Sequence, residues 1–302
     1  MFADETPSRA HYAPGVSAEI EIPDHPLGDL VDQAAAEAPQ RVALDFLGAT
    51  TTYAELADQV RRAAGLLQQA GVRPGDRVAL VLPNCPQHVV AFYAVLRLGA
   101  VVAEHNPLAP AAELAGQLDR HGARVVVAWE KSVAKIDLSV PDRTVLAVDL
   151  TAALPRRSRL LLRLPLRAAR TQRDAMRAPV PEGVRSWDAE VARAAPSEVA
   201  HRPSSRDLAV LLHTGGTTGT PKAVGLTHRN LLANMAQTVA WVPSLREGEQ
   251  TLYSVLPYFH AFGLTVCLTV ALRIAATQVV LPRFDVDLVL GAMKRRPATF
   301  MP

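Results

Sequence analysis

Ten residues in the last third of the sequence, His213-Thr-Gly-Gly-Thr-Thr-Gly-Thr-Pro-Lys222, have the composition of an anion cradle. Gly215, Gly216 and Gly219 let backbone N–H groups come close to a ligand. Thr214, Thr217, Thr218 and Thr220 add hydroxyl donors, and Lys222, after Pro221, supplies a point charge at the loop's end. Together they suit a polyphosphate. The run is not a Walker loop, because Pro221 and Ala223 flank Lys222 where that motif needs Gly and Ser/Thr, and no G-x-G-x-x-G follows a strand. An unliganded Gly/Thr loop is the alternative, and the strand–loop–helix setting speaks against it. A second candidate is His260 in Tyr258-Phe-His-Ala-Phe-Gly263, a packed residue or a site residue from its neighbours alone. Cys85 stands just before a helix start, where a thiol can acidify, and reads as a capping or packing residue. No Cys/His spacing suggests a metal set.

These residues need a scaffold, and strand and helix patterns alternate through most of the chain. Residues 41–47 read as a strand, and Thr52-Tyr-Ala-Glu55 as a capping box opening a helix with Leu56, Val60, Ala63 or Ala64, and Leu67 on one face. Gly71 closes that helix. Residues 77–82 are apolar enough for a strand covered on both faces, and Pro86 suits a first helical position. Strands at 101–102, 124–128, 144–148, 208–212, 251–256 and 278–282, with helices at 110–121, 229–240, 262–275 and 286–295, continue the alternation. The pattern predicts an α/β fold of parallel βαβ units with helices on both sheet faces.

Composition narrows the class. With 302 residues, 49% hydrophobic and only +3 in net charge, the chain can bury a large core and is not disordered. Two cysteines cannot form a disulfide framework, which points to a reducing, cytoplasmic setting. The N-terminus lacks the basic and apolar regions of an export signal. The best spanning candidate, 262–281, carries Arg273 and Gln278 and reads as a buried helix followed by a strand. Nine arginines between 151 and 185, against Asp174 and Glu182, hold the excess positive charge, so the high pI gives no sign of nucleic acid. Prolines at 155, 165, 179, 181, 196 and 203 make 151–206 an excursion between two blocks. Its Leu160-Leu-Leu-Arg-Leu-Pro-Leu-Arg stretch suits peripheral contact of 156–177 with an anionic membrane; a solvated connection, favoured by Pro165, is the other reading.

The Thr-Gly-Gly-Thr-Thr-Gly-x-Pro-Lys run, with the following Thr-His-Arg-Asn-Leu-Leu-Ala-Asn234, resembles the signature loop of adenylate-forming (AMP-binding) enzymes. Within that superfamily the chain is most similar to the N-terminal portion of bacterial long-chain fatty acid–CoA ligases. Thr52-Tyr-Ala-Glu-Leu, Gly71-Val-Arg-Pro-Gly-Asp-Arg-Val, Leu82-Pro-Asn, Leu98-Gly-Ala-Val, Asn106-Pro-Leu and Leu256-Pro-Tyr-Phe-His-Ala-Phe-Gly match family landmarks in order.

The resemblance implies ATP-dependent activation of a fatty carboxylate to an acyl-adenylate, with Mg²⁺, and transfer to coenzyme A. Residues 214–222 would wrap the ATP phosphates, with Lys222 and Thr218 in catalytic roles. His260 would shape the adenylate and acyl site, while Phe259, Phe262 and Gly263 line an acyl tunnel or pack the core. Two residues depart from the family pattern: His213 where an aromatic such as tyrosine is usual, and Ala223 where glycine is usual. The implied fold is an incomplete large N-terminal domain of the acyl-activating enzyme fold, two mixed sheets with helices on both faces. Its expected divisions are a tail at 1–25 and a truncated domain at 26–302, in which 26–70 joins 224–302 in one sheet and 75–213 forms the other. Family members continue with a Tyr-Gly-x-Thr-Glu-like motif, a ribose-binding Asp and a C-terminal domain with a catalytic Lys, none of which this chain reaches. Little ligase activity is therefore expected of it alone. Other readings are a non-enzymatic ATP- or acyl-binding fragment, a fatty acyl-AMP ligase, and a membrane-recruitment fragment.

Overall fold

A computed structural model describes residues 11–198, 202–214 and 222–302. Strands β3 (Arg77–Val81), β4 (Val101–Glu104), β5 (Val125–Trp129), β6 (Thr144–Val148), β7 (Arg185–Ser186), β8 (Leu208–Thr214) and β9 (Lys222–Thr227) form one sheet in the order β7-β6-β5-β3-β4-β8-β9. All its pairings are parallel except β8–β9. Strands β1 (Val42–Phe46), β2 (Ala49–Thr52), β10 (Thr251–Ser254) and β11 (Thr277–Val280) form the second, in the order β10-β11-β1-β2, with only β1–β2 antiparallel. Both sheets are therefore mixed. Residues 78–81 and 101–104 are buried throughout, as strands covered on both faces must be.

The helices are α1 (Asp29–Glu37), α2 (Tyr53–Gln69), α3 (Pro86–Arg97), α4 (Ala111–His121), α5 (Glu130–Val133), α6 (Arg156–Leu161), α7 (Arg167–Met176), α8 (Trp187–Arg193), α9 (His228–Trp241), α10 (Ala261–Gly263), α11 (Ala271–Arg273) and α12 (Val286–Arg295). A π-helical stretch, Leu264–Val270, joins α10 to α11. The capping box forms as expected: the Thr52 hydroxyl accepts from the Glu55 N–H at 3.2 Å, and the Glu55 carboxylate accepts from the Thr52 N–H at 2.8 Å. Leu56, Val60, Ala63, Ala64 and Leu67 are all buried. In α2, Gly65 is a requirement of packing, since a Cβ there would lie 2.1 Å from the Ala195 carbonyl oxygen.

Several elements escape the sequence pattern. Leu47 and Gly48, both at positive φ, turn β1 back into β2, a two-residue hairpin hidden by the apolar Leu47. Lys222–Thr227 forms β9, so this stretch lies in the seven-stranded sheet although 224–302 is expected in the other. Its backbone pairs with β8 across the loop, which a helix start at 228 conceals. The 151–206 excursion is partly internal, with Leu154, Leu162, Met176, Trp187 and Val191 in the main core. The Trp129 indole donates to the Met176 carbonyl at 2.7 Å. Its surface carries exposed Leu160, Leu161, Leu164 and Leu166 among arginines. Residues 262–281 split into the π-helical segment and β11, and no helix among the described residues is long and apolar enough to cross a membrane.

Candidate functional site

Strands β3, β4 and β8 run parallel, so their carboxyl ends meet at one edge, the place where open α/β sheets bind ligands. Each end delivers polar residues there: Asn84 after β3, Glu104 and His105 at the end of β4, His213 and Thr214 at the end of β8.

The two ends of the candidate phosphate loop are tied together. Thr214 and Lys222 face each other in the β8–β9 ladder, and the Thr214 hydroxyl donates to the Lys222 carbonyl at 3.3 Å. Lys222 is exposed. The assigned cradle residues Gly215, Gly216, Thr217, Thr218, Gly219, Thr220 and Pro221 lie outside the described residues. Ala223 pairs with His213 in the same ladder and is absent from the residues with positive φ. Its backbone is ordinary strand, so the extra Cβ brings no strain.

Asn84 joins the second sheet to this edge. Its amide donates to the Ser254 and Leu256 carbonyls at 3.1 and 2.8 Å, and its oxygen accepts from the Tyr258 N–H at 2.9 Å. This holds the segment that carries His260, which lies just before α10 with an exposed ring 4.6 Å from that of Phe259. Gly263 is needed where it stands: a Cβ would fall 2.0 Å from the Pro257 carbonyl oxygen. Phe262 is 59% exposed and packs in no core.

Beneath the edge lies a fully buried pair. His88 Nε2 faces both Glu104 carboxylate oxygens at 3.0 and 3.1 Å, its Nδ1 faces the Pro83 carbonyl at 3.3 Å, and its ring meets Tyr258 edge-on at 5.3 Å. The Glu104 backbone carbonyl accepts from His213 Nδ1 at 2.9 Å. His213 is one of three imidazoles gathered at this edge, with His105 and His121. Burial lowers all three, His105 to about 3 and His121 to about 4, so each ring is neutral near pH 7. Of this network the sequence pattern singles out only His213, as a departure from the family pattern, because its members lie far apart in the chain. A glutamate closing an otherwise apolar strand was the available signal.

Cys85 is fully buried and its side chain caps nothing, and burial pushes its thiol up, so it packs. Cys267 is likewise buried, pushed up to about 12.

The comparisons with known proteins agree with this architecture. The chain is 30% identical to a long-chain-fatty-acid–CoA ligase of Bacillus subtilis over 99% of its own length and 53% of the relative's. It is 34% identical to 4-coumarate–CoA ligase 2 of Oryza sativa, covering 92% of this chain and 47% of that one. The crystal structure of a long-chain-fatty-acid–CoA ligase from Archaeoglobus fulgidus superposes with a TM-score of 0.77 at 20% identity, over 96% of this chain and 53% of that one, a likeness of fold. The chain thus spans about half the length of the curated relatives it matches. With residues 31–302 matching the AMP-binding enzyme family, the chain belongs to that family.

Proposed function

We propose that this chain forms the nucleotide-binding part of an enzyme that activates a fatty carboxylate with ATP and passes the acyl group to coenzyme A. The observation that carries this reading is the loop from Thr214 to Lys222, pinned at both ends on the carboxyl edge of the larger sheet. In the first step a carboxylate oxygen attacks the α-phosphorus of ATP, the bond to the bridging oxygen breaks, and pyrophosphate leaves. Negative charge grows on the leaving group, and Lys222 and the Thr214 and Thr218 hydroxyls suit that charge. His260, exposed beside Phe259, suits the acyl side of the adenylate. The acyl group then moves to the coenzyme A thiol with release of AMP. Mg²⁺ takes hard oxygen ligands. Among the described residues the one group of three or more metal-ligating side chains is imidazole, a donor set that does not suit Mg²⁺.

A fatty rather than aromatic carboxylate is favoured by the Bacillus subtilis relative, which matches 99% of this chain. Surface residues add a reason for membrane contact: exposed Leu160, Leu161, Leu164 and Leu166 alternate with exposed Arg159, Arg163 and Arg167.

Calorimetry with ATP is the first test, and absence of binding overturns the nucleotide reading. Carboxylate-dependent exchange of pyrophosphate into ATP, with palmitate against 4-coumarate, then decides the acid. ATP binding without any exchange agrees with a nucleotide-binding part that needs the rest of the enzyme as well as with a non-enzymatic nucleotide-binding role, and exchange without transfer to coenzyme A supports a fatty acyl-AMP ligase. Co-sedimentation with anionic vesicles, lost on reversing the charges at 159, 163 and 167, tests the membrane contact.

A further inference from the structure

Three histidines from three separate elements meet at the edge that carries the candidate phosphate loop. His105 follows β4, His121 ends α4, and His213 stands immediately before Thr214 on β8. Their ring centroids lie 4.6, 5.0 and 5.9 Å apart, and one ring nitrogen from each lies within 4.8 Å of the other two. Such a spacing fits imidazoles around one small cation.

The outer hydrogen bonds set the tautomers. Gln117 donates its amide N–H to the Glu113 carboxylate at 3.0 Å, which turns its oxygen toward His105 Nδ1 at 2.8 Å. An oxygen there accepts, so His105 carries its proton on Nδ1 and Nε2 is a bare lone pair. His213 Nδ1 donates to the Glu104 carbonyl, which leaves its Nε2 bare as well. Metal-bound histidines are held in this way, the outer N–H fixed by an acceptor and the inner nitrogen free. His121 differs. Its Nδ1 accepts from the Ala123 N–H at 3.2 Å, so its proton sits on Nε2, which donates to His105 Nε2 at 2.9 Å.

We propose that His105, His121 and His213 form a binding site for a late first-row transition-metal dication such as Zn²⁺ or Co²⁺, one that fastens the end of β8 just ahead of the loop. On binding, the cation takes the place of the proton between His105 and His121. That proton moves to His121 Nδ1, the ring stays neutral, and the Ala123 contact is given up. Three neutral nitrogen donors favour the late first-row metals over Mg²⁺ and Ca²⁺. Burial, which keeps the three rings unprotonated at neutral pH, leaves their lone pairs available. Arg77, Arg120 and Arg143 oppose positive charge at His121, and Glu113 offsets it at His213. The proposal does not depend on the nucleotide reading.

The test uses the untagged, metal-stripped chain titrated with Co²⁺, followed by absorption in the visible, and with Zn²⁺, followed by calorimetry. One equivalent of Co²⁺ with an intense d–d band, displaced by Zn²⁺, is expected. His213→Phe, an aromatic substitution at a half-exposed position, should abolish that band while the far-ultraviolet circular dichroism is retained. Gln117→Ala should weaken binding about 10–100-fold, as loss of an outer partner does. Zn²⁺ should also raise the Tm of the parent chain and leave that of His213→Phe unmoved. Absence of one-equivalent binding in the parent chain overturns the site whatever the variants do. Equal binding by parent and His213→Phe overturns it too, placing the metal on other histidines.

Discussion

The two sheets meet at one edge and bring different things to it. From the seven-stranded sheet, β4, β8 and β9 bring groups with exposed or convertible chemistry: Thr214 and Lys222 at the ends of the loop, and imidazoles beside them. From the four-stranded sheet comes a single segment after β10, held by Asn84 and closed by Gly263 against Pro257. One side supplies the proposed reacting groups; the other supplies a wall whose position depends on backbone hydrogen bonds. The difference separates two kinds of family landmark. The loop carries the proposed chemistry, whereas Leu82-Pro-Asn84 and the tract from Thr227 mark assembly. In that tract Thr227 and Asn230 form a second capping box, and Asn234 accepts from the Thr265 hydroxyl at 2.7 Å.

The most damaging change should be His88→Ala, which strips the buried Glu104 of its partner. Leaving a buried carboxyl group without its partner costs about 3–5 kcal/mol, and urea unfolding should show it. Glu104 carries both His88 on its carboxylate and His213 on its carbonyl. Unchanged stability in this variant would mean that the larger sheet's edge is not internally braced, and the contrast between the sheets would fail. Next comes Asn84→Ala, which orphans the Tyr258 N–H and two carbonyls at once. A loss of about 2–4 kcal/mol is expected, since each buried unsatisfied group costs about 1–3 kcal/mol. A stable variant with an undisturbed His260 environment would show that the wall needs no clasp.

Lys222→Ala should act the other way round. The side chain is exposed at the start of β9, so Tm should hold, while ATP binding weakens about 10–100-fold with the lost charge-assisted contact. A fall in Tm with unchanged ATP affinity would move Lys222 from the chemical side of the comparison to the structural one.

Local signals made much of this legible in sequence. The Thr52 capping box, the apolar stripe of α2, Gly71 at φ 88° and the βαβ alternation depend on residues a few positions apart, and all appear in the structure. The candidate loop stands out in sequence because glycine, threonine and lysine crowd into ten residues, and its two ends pair in the β8–β9 ladder. What escaped depends on distance in the chain. His88 and Glu104, or His105, His121 and His213, become neighbours only once parallel strands align their ends. β2 and β9 escaped for a different reason: the pairing partner rather than its own composition makes each of them a strand.

His228 gives the finest test of how the N-terminal segment is joined to the seven-stranded side, because it titrates. It is fully buried as the first residue of α9, and its Nδ1 accepts from the Leu27 N–H at 3.1 Å, joining the N-terminal segment to the body. Burial lowers it from 6.5 to about 4, with Asp207 pulling weakly the other way. Protonation would put a hydrogen on Nδ1, break the Leu27 contact and set a positive charge at a helix N-terminus, where the dipole opposes it. The unfolded chain takes that proton below 6.5 and the folded chain resists it until near 4. Stability from this group is therefore complete above pH 6.5 and drains away as the pH falls toward 4, by about 2 kcal/mol at pH 5. Urea unfolding of the parent and His228→Asn at pH 7.5 and pH 5 isolates the effect, since the other histidines cancel between the two chains. The gap between them should narrow by about 2 kcal/mol at the lower pH. Parallel curves would mean that His228 is open to water, and that the Leu27 segment is not sealed against α9.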